Sequence, residues 1–284
     1  DGADLSEAKL DRAVVNNTIL SNASLRGTSF EEVDLSGLQS LESSLAGATL
    51  KGVKLAGVDA KGMDLRGADL EGADLSGAKL QGVQAMGANL AGANMDNADL
   101  AEANLENADL SGAQMQNAQL DEANLEGANL TGADMTNADL AGAAMEGVQG
   151  EGANLAGADL SGVDARDEDT ETPAELNNAN MTGANLSNAD LGGANLEGAT
   201  LDDTWVGTGT CTDGTGCDES RPCEAGGCTP QEPPPAVNLA GANLKDASLQ
   251  RADLSGADLS EAKGADANMR DADLSNANMR DFDG

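Results

Sequence analysis

The chain has 284 residues, 50 of them acidic and 15 basic, with a formal charge of −35 and neither His nor Tyr. Affinity for nucleic-acid phosphates comes from Lys and Arg displacing counterions, so this balance argues against direct nucleic-acid binding. No run approaches the ~18 apolar residues of a membrane-spanning helix, and with no His to pair with a Ser and no G-x-x-x-x-G-K-[ST] loop, the usual catalytic constellations have no members here.

The chain opens at Asp1 with Ala3, Asp4 and Leu5 already in the phrase that dominates it: a small residue, Asp or Asn, an apolar centre, and two more places. Neither an initiator Met, a signal peptide nor an amphipathic capping helix precedes that phrase, which points to a mature chain relieved of a targeting segment, or to a trimmed one. Residues 11 to 45 hold the least regular repeats, including Val15, Phe30 and Leu38, and basic residues gather toward this end at Lys9, Arg12, Arg26, Lys51, Lys54, Lys61 and Arg66.

From Met63 to Ala165 the phrase returns almost without a break, with centres at Leu65, Leu70, Leu75, Leu80, Leu90, Met95, Leu100, Leu105 and Leu110. A period of five residues fits neither a helix nor a plain strand, and it predicts a solenoid. The centre and the small residue two places before it can point the same way only where the chain is extended. The other two places then turn a corner. The second place after the centre is Gly without exception from Gly47 to Gly92 and mostly Gly or Asn afterwards, with Glu102 and Glu122 among the departures. That is the demand of the third position of a type II turn.

The A-[DN]-L-x-x signature over most of residues 3 to 206 and 237 to 284 closely resembles the pentapeptide-repeat family. The resemblance implies an all-β fold: a right-handed quadrilateral β-helix with four pentads per coil. About 49 pentads then make about 12 coils, a rod on the order of 55–60 Å long at the spacing of neighbouring strands. Residues 1–284 are expected to form one domain, interrupted by a loop at 166–175 and a Cys/Pro-rich loop at 207–236.

If four pentads make a coil, residues twenty apart stack, and Asp before the centre should avoid lying over Asp. Asp69, Asn89, Asp109 and Asn129 make one such column; Asp34, Lys54, Asp74, Asn94, Gln114, Asp134 and Asn154 a second; Asp59, Lys79, Asp99, Gln119 and Asp139 a third. Asp159 after Asp139, and Asp253 with Asp273, depart from it. The same logic stacks Met95, Met115 and Met135 as adaptable core filler. Inward volumes compensate at Leu38 with Ser40, Val58 with Ala60, Val83 with Ala85, Val148 with Gly150 and Val163 with Ala165, as a narrow filled core requires. Ala262 with Gly264 does not compensate, and predicts a local void or bend.

Between Lys79 and Arg166 there is no basic residue. The middle of the rod is therefore expected to show a surface of one sign: a solvated face, a lure for a basic protein partner, or a binder of cations.

The first interruption, Arg166 to Glu175, is polar and carries Pro173, which cannot donate to a ladder. Centres Ala165 and Leu176 are eleven apart, so the phase of the coils beyond is open. Met181, Leu186, Leu191, Leu196 and Leu201 then resume the pattern. The second interruption holds Cys211, Cys217, Cys223 and Cys228 with Pro222, Pro230 and Pro233 to Pro235. An even number of cysteines in one short loop predicts two disulfides, Cys211 with Cys217 and Cys223 with Cys228 being the first pairing to consider of three. Zinc is the rival, without a C-x-x-C pair or a His in its favour. Disulfides imply an oxidising place: extracellular, periplasmic or at the cell surface. Asp213, Asp218 and Glu219 beside Gly214 and Gly216 bear a faint likeness to a calcium loop, with spacing unlike an EF-hand; no other cofactor is expected. Trp205 is expected to pack at the root of this loop.

After Val237 the pattern returns at Leu239, Leu244, Leu249, Leu254 and Leu259, then Met269, Leu274 and Met279, and runs in register to Phe282 with no polar cap. Open β-helix ends present unpaired strand edges and an apolar interior. The expectation is an end-to-end interface of Leu5, Leu10 and Arg12 with Met269, Leu274, Met279 and Phe282, a head-to-tail contact that does not close and so makes filaments. Arg12, Arg26, Arg251, Arg270 and Arg280 would lower the repulsion between the ends. The functional reading is a non-enzymatic structural or interaction protein outside the cytoplasm. The resemblance implies an alternative, since some members of the family resemble duplex DNA and bind DNA gyrase, as the acidic stretch from Gln81 to Ala165 could. Those members typically dimerise through a C-terminal module, which nothing after Phe282 could build, and four cysteines suit a reducing cytosol poorly.

Overall fold

The computed structural model describes residues 4–13, 28–30, 33–35, 44–165, 173–202, 204 and 237–284. Each pentad makes one side of a tube so narrow that a side pairs with the next coil through a single residue rather than a long strand. Thr49 pairs in parallel with Asp69, Asp69 with Asn89 and Asn89 with Asp109, so the repeat along the axis is twenty residues and the tube has four sides.

The pentad accounts for its five backbone N–H groups, and this explains its composition. In the unit around Leu70, Asp69 N–H donates back to Ala48 C=O at 2.9 Å, while Leu70 and Gly72 N–H donate forward to Asn89 and Ala91 C=O at 2.6 and 2.9 Å. Ala73 N–H closes the corner onto Leu70 C=O at 2.9 Å, a four-residue turn whose third member, Gly72, has φ +63°. The fifth N–H, on the residue just after the centre, has no backbone acceptor, and the Asp or Asn side chain supplies one: Ser76 to Asp74 Oδ1 at 3.1 Å and Ala91 to Asn89 Oδ1 at 3.1 Å. An orphaned backbone donor is costly, so a short acceptor side chain is selected there. Where Gln114 takes that place, Asp96 of the preceding coil accepts from Gln116 N–H at 2.9 Å instead.

The same carboxamides explain why Asp avoids Asp along a column. Asn89 donates to Asp69 Oδ1 at 3.0 Å, Asn129 to Asp109 at 3.1 Å and Asn154 to Asp134 at 3.0 Å. Asp does stack on Asp at Asp139–Asp159, Asp164–Asp190 and Asp253–Asp273; Asn185 on the far side donates to Asp159 at 2.9 Å and Asn238 to Asp190 at 2.8 Å.

Leucines, methionines and the small residues before them fill the bore. Met95, Met115 and Met135 lie in one column, each fully buried, as do Val83 with Ala85 and Val163 with Ala165 in theirs. At Gly150 the missing volume is supplied by the next coil, since a Cβ there would meet Leu176 Cδ2 at 2.8 Å. The void expected at Ala262 with Gly264 is not found. The Phe282 ring lies over Gly264, where an added Cβ would come within 2.9 Å of its Cε2. Compensation here runs along the axis rather than within the pentad.

Across the first interruption the partner offset becomes 26, with Gln149 on Glu175 and Asn154 on Asn180; across the second it is 48, with Asp190 on Asn238. All four columns resume in phase across the first interruption, and those of Asp190, Asn195 and Thr200 do so across the second. Ala174, fully buried, and Glu175, paired to Asn195, already belong to the ladder, so the irregular stretch ends at Pro173 rather than at Glu175. Cys211, Cys217, Cys223, Cys228, Trp205 and the stretch 207–236 lie outside the described residues, as do Leu38 and Ser40.

Candidate functional site

A filled bore leaves chemistry to the outside. Among the described residues no three His, Cys, Asp or Glu side chains converge as a metal site would require, and no buried side-chain N or O lacks a hydrogen-bond partner. Two open surface grooves lie among the described residues, one of about 420 Å³ beside Ser44, Asp64 and Arg66 and one of about 320 Å³ beside Asn178, Asn195, Glu197 and Asp246. No helix among the described residues is long and apolar enough to cross a membrane.

The repeat of twenty sorts the outer surface into four sides, and the acidic middle turns out to be one-sided. Of the fourteen acidic residues between 81 and 165, ten sit on the pentads of two adjacent sides: Asp99, Glu102, Asp121, Glu122, Asp139 and Asp159 on one, and Glu106, Glu126, Glu146 and Asp164 on the next. Only Asp96, Asp109, Asp134 and Glu151 occupy the other two sides, which present mainly Asn, Gln, Ser and Thr. Glu106, Glu126 and Glu146 hold the same corner on three successive coils. Counting acidic residues along the chain misses this; sorting them by position modulo twenty finds it.

Basic residues flank this stretch and are largely engaged. Lys51 Nζ lies 3.2 Å from Asp69 and 2.5 Å from Glu71, and Lys245 Nζ lies 2.6 Å from Glu197 and 2.7 Å from Asp246, which holds the Lys245 pKa above its ordinary value. Such exposed pairs contribute little to stability. Arg66 grips Asp64 with Nε to Oδ1 and Nη2 to Oδ2, both at 2.8 Å, and these bonds pull the Asp64 carboxyl down to about 2 against a smaller upward push from burial. Since the unfolded value is about 3.9, the stability Asp64 contributes is present above that pH and is lost as pH falls through about 2. The melting temperatures of wild type and Asp64→Asn are therefore expected to differ most above about pH 4 and to converge as pH approaches 2, as thermal melts across that range will show.

The residues expected at the ends lie at the ends. One column runs unbroken from Lys9 through Ser29, Thr49 and on to Lys263 and Asp283. Leu5 and Leu10 are half-buried at one limit and Arg12 is exposed; at the other, Met269, Leu274 and Phe282 are half-buried and Met279 is 38% exposed. Among the described residues no backbone carbonyl accepts from Met269, Leu274 or Met279 N–H, and no backbone N–H donates to Asp4 or Lys9 C=O.

A family model described as pentapeptide repeats matches residues 1–37, 43–82, 86–119, 113–148, 133–167, 174–204 and 237–281. Among solved structures, HetL, a pentapeptide repeat protein involved in heterocyst differentiation regulation from the cyanobacterium Nostoc sp. strain PCC 7120, is 32% identical at TM-score 0.62, with 82% of this chain and 87% of that one covered. A pentapeptide repeat protein from the Arabidopsis thaliana thylakoid lumen is 40% identical over 36% of this chain and 71% of its own, at TM-score 0.35. QnrB1, a plasmid-mediated fluoroquinolone resistance protein, is 21% identical over 69% of this chain and 88% of its own, at TM-score 0.40. No curated protein sequence matches the chain.

Proposed function

The chain belongs to the pentapeptide-repeat family, and from that premise we propose that it is a non-enzymatic structural and interaction protein that joins copies of itself head to tail outside the cytoplasm. In this reading residues 1–284 form one right-handed, four-sided β-helical rod of about 12 coils at the strand spacing, with two loop insertions. Its acidic pair of sides is available to a basic protein partner, and the remaining two sides carry fewer acidic residues.

The observation that carries the proposal is the complementarity of the two end faces. Within the rod each coil donates N–H groups from its apolar centres to carbonyls just before the centres of the next, as Leu70 does to Asn89. Among the described residues the donors of that scheme at Met269, Leu274 and Met279 meet no backbone acceptor, and its acceptors at Asp4 and Lys9 meet no backbone donor. Apolar groups lie beside them on both faces. A second copy satisfies both sets at once, and such a heterologous contact propagates.

The extracytoplasmic part rests on the four cysteines, which as two disulfides would persist only under oxidising conditions. Sedimentation velocity and light scattering over a range of concentrations test the assembly: the particle mass should rise with concentration for wild type and stay monomeric for Met279→Glu. Strictly monomeric wild type at the highest concentration would remove self-assembly from the reading.

A further inference from the structure

Within the uninterrupted runs a short corner hands the chain from one side of the tube to the next, so the covalent chain itself places each coil on the one below. Between Thr204 and Val237 that guidance lapses for 32 residues. The coil beginning at Val237 nevertheless stacks on its predecessor at ordinary ladder distances: Leu191, Leu196 and Leu201 N–H donate to Asn238, Asn243 and Ser248 C=O at 2.9, 2.8 and 2.6 Å. The leucines on both sides of the joint are buried in the bore.

Side chains reinforce this joint on each of its three described columns. Asn238 Nδ2 donates to Asp190 Oδ1 at 2.8 Å, Asn243 Nδ2 to Asn195 Oδ1 at 3.1 Å and Lys245 Nζ to Glu197 Oε1 at 2.6 Å. Asp202 Oδ1 accepts twice, from Ser248 Oγ at 2.6 Å and from Gln250 N–H at 2.9 Å. By contrast residues 90–104, whose next coil follows without interruption, make one such bond to it among the described residues, from Gln116 N–H to Asp96 at 2.9 Å. Closing a long connection costs more chain entropy than turning a corner, and a long connection does not fix which side meets which. Bonds specific to the pairing supply both the missing free energy and the phase.

We propose that the joint is a self-sufficient recognition interface: the face bearing Asp190, Asn195, Glu197 and Asp202 binds the coils of residues 237–284 and holds them whether or not the chain between is intact. The partner of that face is this chain's own segment 237–284, and the chemistry is that of interfaces between separate chains, an apolar centre rimmed by satisfied hydrogen bonds. A chain cut between residues 205 and 236 then remains one rod made of two pieces. The inference is independent of head-to-tail assembly, because both faces lie inside the rod.

Cutting the full chain tests it. A specific protease site is inserted between Gly226 and Gly227 and cleaved with the cysteines kept reduced, so that no disulfide joins the pieces. Native mass spectrometry and sedimentation should find the two pieces together in equal number at about 1 µM. Asp202→Ala should raise their dissociation constant roughly tenfold, because Gln250 N–H loses its acceptor, and Lys245→Glu should do the same by setting like charges together. Asp96→Ala, which removes the same kind of bond far from the joint, should leave the constant unchanged. Separation of the wild-type pieces at that concentration would overturn the proposal, as would a dissociation constant that neither Asp202→Ala nor Lys245→Glu alters, or one that Asp96→Ala raises equally.

Discussion

Leu120→Ala is expected to lower the free energy of unfolding by about 2–5 kcal/mol, while Met86→Ala moves it by less than about 0.5 kcal/mol. Leu120 is fully buried in the bore, and its column neighbours one coil away are Leu100 and Leu140, also fully buried. Each of these is held by ladder bonds on both sides, Leu120 N–H to Asp139 C=O at 2.6 Å among them. The walls therefore cannot collapse into the space a leucine leaves, and the cavity term is added to the lost transfer energy. Met86 stands on a corner, 41% exposed, and truncating it leaves no cavity. Denaturant unfolding of the two variants checks the difference. Because a solenoid is coupled only between neighbouring coils, the Leu120→Ala transition should also broaden, with the coils around residue 120 exchanging amide protons first.

Gly157→Ala is expected to cost about 1–3 kcal/mol and Gly132→Ala less, both measured against the roughly 1–2 kcal/mol of a left-handed backbone. Gly132 has φ +64° and open space where a Cβ would go, so only the backbone term applies. Gly157 has φ +67°, and a Cβ there would stand 2.6 Å from Asn137 Oδ1 of the preceding coil. A corner side chain in the left-handed conformation points along the axis over the corner below it. Asn107 over Gly127 and Asn178 over Gly198 repeat the arrangement, with the oxygen 2.5 and 2.7 Å from the Cβ position. Asn137→Gly in the Gly157→Ala background should remove the excess over Gly132→Ala and leave the backbone term. Thermal melts of the single and double variants measure it, and an excess that survives the double change would contradict the axial contact.

The corners that carry charged side chains fall mostly outside the acidic middle. Asp246, Arg251, Glu261, Asp266, Asp271 and Asp281 all adopt φ near +60° in the last coils, where glycine is sparse. Each such corner is strained relative to Gly or Asn, so this end holds the weaker coils of the rod. That weakness lies beside the face proposed for assembly, and a stacked copy would stabilise it by mass action.

The architecture was legible in the residues because a pentad solves its own problems locally. A glycine or asparagine turns the corner, the Asp or Asn side chain accepts the N–H after the centre, and the centre and its small partner face inward, so the pattern repeats wherever those needs repeat. The asparagine–aspartate columns followed from the repeat of twenty, and Met95, Met115 and Met135 fell into line as expected. Other features depended on what the neighbouring coil does. The phase across the interruptions became visible only when Gln149 met Glu175 and Asp190 met Asn238, because eleven residues between centres do not say how many leave the ladder. The filling of Gly264 by Phe282, eighteen residues on, is an axial contact that no rule within a pentad contains. The gathering of acidic residues on two of the four sides likewise exists only once the chain is wound, since charge spread evenly along a sequence is spread evenly around a rod only when its spacing ignores the coil.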